Sequence, residues 1–236
     1  MNIISFIKIL VVMTSLYGAT SYADYELNES MKCLTLFRHY EYKHRIPGDT
    51  LYSISLNETG KLHSIKKIKI VWPWTANVEG KGYFFDSKRE AVSFVRSEML
   101  KGKESIDVGC MQINLKHHPD AFRNLEQAFD PAANIAYGAS FLRSKYDALK
   151  DWHKAIAHYH SATAVLGEKY KNNIIKTASN ITKFAQPFYE RGVKKANITP
   201  SLQKERDKTN NINTEKEKRY KSDMMIYVPK KSGGAL

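Results

Sequence analysis

Cysteine is nearly absent from this 236-residue chain: Cys33 and Cys110 are the only two. Neither belongs to a Cys-x-x-Cys pair, and no His-x-x-x-His run accompanies them, so the ligand spacing of a structural zinc site is missing. No base is arranged beside Cys110 in the sequence, which argues against a nucleophilic thiol. Acidic residues are short of basic ones, 24 against 37, for a formal net charge of +13. Internal repeats are absent. Long apolar runs are absent too, apart from one stretch over residues 3–18 that is too short for a membrane span.

That one apolar stretch carries a single early cation, Lys8, and leads to Ser21-Tyr22-Ala23, a small-x-small cleavage pattern. The expectation is a secretory leader over residues 1–23, with an uncleaved anchor as the alternative and a mature chain starting near Asp24. About 210 residues then remain, enough for one core with a tail. Export and an even cysteine count predict a disulfide; the alternative is two buried thiols acting as small hydrophobes. The positive charge is concentrated late: residues 191–236 hold 12 Lys or Arg against 5 Asp or Glu. After Pro200 the sequence is polar and repetitive, so residues 196–236 are expected to form a disordered basic tail. Export makes nucleic acid a poor partner for this charge, whereas anionic cell wall or lipid headgroups suit it.

Residues 24–195 read as one mainly α unit with a small β element. A first helix is predicted over 27–45, with Cys33, Phe37 and Tyr40 on one stripe. Pro47-Gly48 ends it. A second helix follows, in which Leu51, Ile54, Ser55 and Glu58 share a face and Gly60 is the predicted C-cap. Residues 66–85 alternate and are rich in aromatic and β-branched types, with a turn at Glu79-Gly80-Lys81-Gly82, which predicts a hairpin. Ser87 and Glu90 form a capping box for a third helix ending near Gly102. Asp130-Pro131 and Asp151 start two more, and a last helix is predicted over 167–188.

Glu58 is the residue that points to chemistry. Its helical face is otherwise apolar or small, so the carboxylate faces the interior, where desolvation opposes charge. It also stands in the last turn, at the negative end of the helix dipole. Both effects raise its pKa and suit it to general acid catalysis. A helix-end Glu turned to solvent is the plain alternative.

Taken in order, Glu58-Thr59-Gly60, Val108-Gly109-Cys110-Met111-Gln112 and Ala157-His158-Tyr159-His160 resemble the three signature motifs of the lysozyme-like soluble lytic transglycosylases. Those motifs read approximately Glu-Ser-Gly, Gly-Leu-Met-Gln and Ala-Tyr-Asn. The resemblance covers about residues 33–170, and Trp72 to Asp86 looks like an insertion typical of one subgroup. Thr59, Cys110 and His160 depart from the family pattern.

The resemblance implies a lysozyme-like fold and cleavage of the MurNAc-GlcNAc β-1,4 bond of peptidoglycan, with Glu58 as the single acid and base. The product would be 1,6-anhydro-MurNAc. It implies substrate-binding roles for Met111, Gln112, Asn114, Tyr159 and His160, with no cofactor. Each has a structural alternative: core filling for Met111, a backbone-satisfied amide for Gln112, a core aromatic for Tyr159, a helix end for His160 and Ser161. A lysozyme-type hydrolase and a catalytically silent peptidoglycan-binding assembly protein are the alternative functions. Goose-type lysozymes resemble this fold but carry an Asp two places beyond the motif Gln, where this chain has Asn114. Asp107, the nearest carboxylate to the second motif, is expected to cap or pin the glycine turn that follows it, with a catalytic role as the alternative. Gly109 would let the backbone pass close to a sugar. Trp72, Trp74, Tyr83 and Phe84 either stack on sugar rings or close a small core. His117-His118 lacks a third ligand for a metal. Peptidoglycan strands are the expected partner, with an envelope-spanning secretion or flagellar machine as a further one. The expected location is periplasmic or secreted, with no stable membrane span.

Overall fold

A computed structural model describes the backbone of residues 3–65, 68–161 and 163–184, and the side chains of residues 22–65, 68–161 and 163–181. The expected tail over 196–236 lies outside the described residues, as do most side chains of the expected leader.

Helix α1 spans Ile3–His44, starting far earlier than the predicted 27–45. No proline occurs before Pro47, so nothing interrupts the backbone hydrogen bonds between the leader and the first packed turns. No helix of the described residues is long and apolar enough to cross a membrane. From Ala23 onward α1 is anchored. Glu26 is buried and accepts from Lys61 Nζ at 2.8 Å and from the Ser64 backbone N–H at 2.9 Å. Glu29 accepts from Trp74 Nε1 at 2.6 Å.

Helix α2 (Thr50–Thr59) carries Glu58 in its last turn, as predicted. Gly60 is the C-cap, as predicted, and glycine is needed there for want of space rather than for a left-handed backbone. Its φ is −57°, but a Cβ would stand 2.4 Å from the Leu56 carbonyl oxygen. The start of α2 is capped from outside the helix. Asp49, at φ 62°, makes no side-chain cap, and Glu41 of α1 instead accepts from Leu51 N–H at 2.8 Å and Asp49 N–H at 3.2 Å. Glu41 is buried, and desolvation, aided by the nearby Asp49, raises its pKa to about 8.

This burial makes a testable link to pH. The folded chain holds a proton on Glu41 between the ordinary carboxylate value and about 8, where the unfolded chain has lost it. Stability is therefore expected to fall as pH rises through that window. Thermal melts across it should show a shallower fall for Glu41→Gln; an identical slope in both proteins would contradict the assignment.

Strands β1 (Lys61–Leu62) and β2 (Lys69–Ile70) pair with each other. Strands β3 (Thr75–Val78) and β4 (Lys81–Phe84) form the predicted hairpin, turning through Glu79 and Gly80, both at positive φ. After helix α3 (Lys88–Leu100), strands β5 (Ile106–Val108) and β6 (Ile113–Asn114) extend the hairpin into an antiparallel sheet ordered β4-β3-β5-β6. Short helix α4 (Leu125–Ala128), α5 (Pro131–Leu149), α6 (Trp152–His160) and α7 (Ala164–Phe184) complete the described fold. Asp130 and Asp151 cap α5 and α6 as predicted, because each cap needs only its own first turn.

Two apolar clusters result. One joins α1, α2, α5, α6 and α7 around Phe37, Leu51, Ile54, Ile135 and Leu142. The other joins one sheet face to α3 around Trp72, Val95, Ile106 and Phe129. Trp72 and Trp74 are therefore core residues rather than sugar platforms. Tyr83 packs against Phe94, and Phe84 alone of the four is substantially exposed. Cys33 and Cys110 are bonded, tying α1 to the loop between β5 and β6.

Candidate active site

The β5–β6 loop, Gly109 to Gln112, is held from five directions. Cys110 is bonded to Cys33 of α1, and its carbonyl accepts from Ser55 Oγ of α2 at 2.6 Å. Met111 N–H donates to Asn134 Oδ1 of α5 at 2.8 Å, and the Met111 carbonyl accepts from Tyr159 Oη of α6 at 3.0 Å. The Thr75 carbonyl of β3 receives Gly109 N–H at 2.9 Å and Gln112 Nε2 at 3.1 Å. This bracing sustains the left-handed backbone at Gly109 (φ 76°) and at Gln112 (φ 45°), the latter an uncommon conformation for a residue with a side chain.

Gly109 shows why the bracing needs glycine. A Cβ there would stand 2.5 Å from Asn134 Nδ2. That amide is fully buried and also donates to the Val108 and Ala128 carbonyls at 2.9 Å. Gly109→Ala is expected to cost about 3 kcal/mol, the sum of backbone strain and a displaced buried amide. Gly80→Ala meets open space at a similar φ of 88° and should cost about 1 kcal/mol. Urea unfolding of the two variants tests the difference, and equal losses would show that Asn134 gives way freely.

Glu58 lies in the last turn of α2, one turn beyond Ser55, whose hydroxyl bonds this loop. Burial is the main cause that raises its pKa, to about 7, and the Asp107 carboxylate adds to the effect. The Tyr170 hydroxyl of α7 lies close enough to offset part of the rise, although no hydrogen bond of good geometry closes between them. Tyr159 also feels the Glu58 charge, so its hydroxyl stands near that carboxyl while donating to Met111. Four elements thus converge on one carboxylic acid that holds its proton near neutrality.

Asp107 is not a turn residue. It sits inside β5, where Ile106 and Val108 point into the core, so its side chain takes the opposite face. Its register partners on that face are Asn77 of β3 and Asn114 of β6. Asn114 Nδ2 donates to Asp107 Oδ1 at 2.8 Å. Burial raises the Asp107 pKa, while Asn114 and the nearby His117 and His160 oppose the rise. Asp107 precedes the turn at Gly109–Gln112, and its bond from Asn114 joins the strands on either side of that turn.

The remaining sequence candidates take different places. The Met111 side chain is fully buried against Gly138, and its main-chain N–H and carbonyl are bonded to Asn134 and Tyr159. The Gln112 amide donates to the backbone at Thr75 and Gly109. His160 is exposed and stacks on Tyr170, with centroids 4.6 Å apart and planes at 4°. His118 joins the Tyr137 hydroxyl at 2.9 Å, away from His117. No group of three potential metal ligands occurs among the described residues.

The comparison with protein-family models decides what carries this arrangement. Residues 86–182 match the Transglycosylase SLT domain. The resemblance seen in the motifs is thereby borne out over that span, and the mainly helical fold with small sheets agrees with it. The SLT domain marks a peptidoglycan-acting function of the lytic transglycosylase type. It takes in the braced loop, Asp107, Tyr159 and Tyr170, whereas Glu58 precedes it. No curated protein and no solved structure matches the chain.

Asn134 and Tyr170 escape a reading of the sequence as catalytic furniture. Each nevertheless leaves a trace there: a polar or hydroxyl-bearing residue on an otherwise apolar stripe, Asn134 with Gly138 and Leu142, Tyr170 with Ile174 and Ile181.

Proposed function

We propose that this protein is a lytic transglycosylase that cleaves the MurNAc-GlcNAc β-1,4 bond, with Glu58 as acid and then base. The observation that carries the reading is Glu58 itself. It is a half-buried carboxyl whose pKa is raised to about 7 by desolvation, one turn beyond the Ser55 that bonds the braced loop. Glu58 gives its proton to the departing GlcNAc oxygen as the bond to muramic C1 breaks. The muramic N-acetyl group supports the positive carbon. The same carboxylate then takes the proton of the sugar 6-hydroxyl as that oxygen bonds to C1 and closes the 1,6-anhydro ring. A pKa near neutrality serves both half-steps.

The Met111 main chain, Gln112, Asn114, Tyr159 and His160 are proposed to line the sugar site. Cleavage of the leader after Ala23 would leave Glu26 and Glu29 in place, so the contacts that anchor α1 survive export. Docking on an envelope-spanning secretion or flagellar machine is a further role proposed for this exported enzyme. Digestion of purified sacculi followed by mass analysis of muropeptides tests the reaction. New 1,6-anhydromuramic ends are expected, and a digest without new glycan ends would overturn the reading.

A further inference from the structure

Glu58 lies between neighbours on α2 whose side chains tie that helix to different parts of the fold. Successive helix residues project about 100° apart, so Asn57 stands about 100° to one side of Glu58, and Ser55, three residues back, about 60° to the other. Ser55 Oγ donates to the Cys110 carbonyl of the braced loop at 2.6 Å. Thr59, on the same side as Ser55, accepts from Trp72 N–H at 3.3 Å. Asn57 Nδ2 donates to Thr177 Oγ1 of α7 at 2.8 Å. The carboxyl therefore leaves the helix between a bond to the loop and a bond to α7.

The two sides are not equally secured. Ser55 and Thr59 are fully buried, and Thr59 Oγ1 also donates to the Ser55 carbonyl at 2.9 Å. Asn57 is exposed. On α7, Tyr170, Ile174, Thr177 and Ile181 share one helical face. Ile174 and Ile181 are buried in the cluster that holds Leu51 and Ile54 of α2, and Tyr170 packs against it. Apolar burial has no direction, so these contacts alone would let α7 shift and turn slightly against α2. Thr177 supplies a directional contact. An amide nitrogen carries two N–H donors, and Asn57 Nδ2 also donates to the Ser53 carbonyl at 2.8 Å, one turn back. The amide is thus held to its own helix while it reaches α7. Tyr170, two turns before Thr177 on the same face, comes close to Glu58 with a buried hydroxyl that no partner of good geometry satisfies, so its placement follows the same setting of α7.

We propose that Asn57 and Thr177 are positioning residues for the acid: their bond sets how α7 meets the last turn of α2 and keeps the Glu58 carboxyl turned between α7 and the loop. The inference rests on the glycan-cleaving role of Glu58. Both residues act through Glu58 rather than on the sugar. Without the bond the α7 side of the last turn opens and water reaches the carboxyl. The acid then loses its aim and also the desolvation that keeps it protonated. The loop side stays closed, because Ser55 and Thr59 remain bonded.

The test compares purified full-length wild type with Thr177→Val, which keeps the side-chain shape and removes the acceptor, with Asn57→Ala, with the two combined, and with Thr177→Ser, which keeps the hydroxyl. The first readout needs no substrate: the carbon-13 shift of the Glu58 carboxyl, assigned by its loss in Glu58→Gln, is followed against pH. T177V and N57A should each move its midpoint down from about 7 toward the ordinary carboxylate range. The double variant should move it no further than either alone, and T177S should hold it in place. Gly80→Ala, which loosens the β3–β4 turn, should melt lower and leave the midpoint unmoved. The second readout is cleavage of glycan strands. T177V and N57A should lose about 10-fold in kcat with little change in KM, a part of the roughly 100-fold that a misplacement of about 1 Å costs. The alkaline limb of their pH profiles should move to lower pH. An unmoved midpoint in folded T177V and N57A would overturn the inference, as would losses that add in the double variant or an unchanged kcat beside a moved midpoint. A moved midpoint with no cleavage by wild type would instead overturn the proposed function and leave the hold of this bond on Glu58 standing.

Discussion

Glu58→Gln is expected to lower glycan cleavage by about 10⁴-fold or more. General acid or base help is worth about 10²–10⁴-fold, and one carboxyl here serves both halves of the reaction. Glutamine keeps the size and polarity of the side chain but gives and takes no proton. Asp107→Asn should cost far less in total cleavage, because it disturbs a cross-strand contact with Asn114 and leaves the proton-transferring carboxyl in place. The pH profile gives an independent check. Leaving-group protonation needs the acid form, so the wild-type rate should fall as pH rises through about 7. Stability offers a second readout, since the folded chain holds a proton on Glu58 between the ordinary carboxylate value and about 7. Ionisation of the buried acid above that window opposes folding, so Glu58→Gln should melt higher than wild type at pH 8 and differ less at pH 5. Full activity in E58Q would remove Glu58 from the chemistry. Equal rate losses in E58Q and D107N would show that the two carboxylates act in one obligatory step.

Replacing both cysteines by serine should cost about 4 kcal/mol. The Cys33–Cys110 bond closes a sequence separation of 77 residues, and the chain-entropy argument gives a loss of that order. Activity per folded molecule should fall much less. The loop that Cys110 belongs to is also held by Ser55, Asn134, Tyr159 and Thr75, none of which depends on the bond. Urea unfolding with and without reductant measures the effect. Reductant should move the wild-type midpoint to that of the double variant and leave the variant unmoved. A double variant as stable as wild type would show that the reduced unfolded chain is already compact about this contact.

How far the site could be read in advance differs from residue to residue. Glu58 was legible because its evidence is local: an apolar helical face, a last turn and a following glycine all lie within eleven residues of sequence (50–60). The same rule, a carboxylate on an apolar stripe, applied equally to Glu41 after Cys33 and Phe37, and there it marked a buried cap for the next helix. Periodicity tells that a carboxylate turns inward; it does not tell what waits there. Around Asp107 the glycine turn that follows is legible, while the three-residue strand that carries the residue is too short to declare itself.

The amino-acid sequence by itself determined the helix starts at Ser87, Asp130 and Asp151, the hairpin at Glu79-Gly80, the inward carboxylate at Glu58 and the glycine at the heart of the loop. Each depends on interactions within one or two turns of chain, where residue type and spacing suffice. Only the tertiary structure decided that Asn134 would brace Met111 from 23 residues away, that Tyr170 of α7 would come close to Glu58, and that Asp107 would stand in register between Asn77 and Asn114 on the sheet. Those pairings join elements far apart in sequence. They form because burying two apolar clusters leaves one arrangement of helices and sheet, and the polar groups caught between them must find partners there.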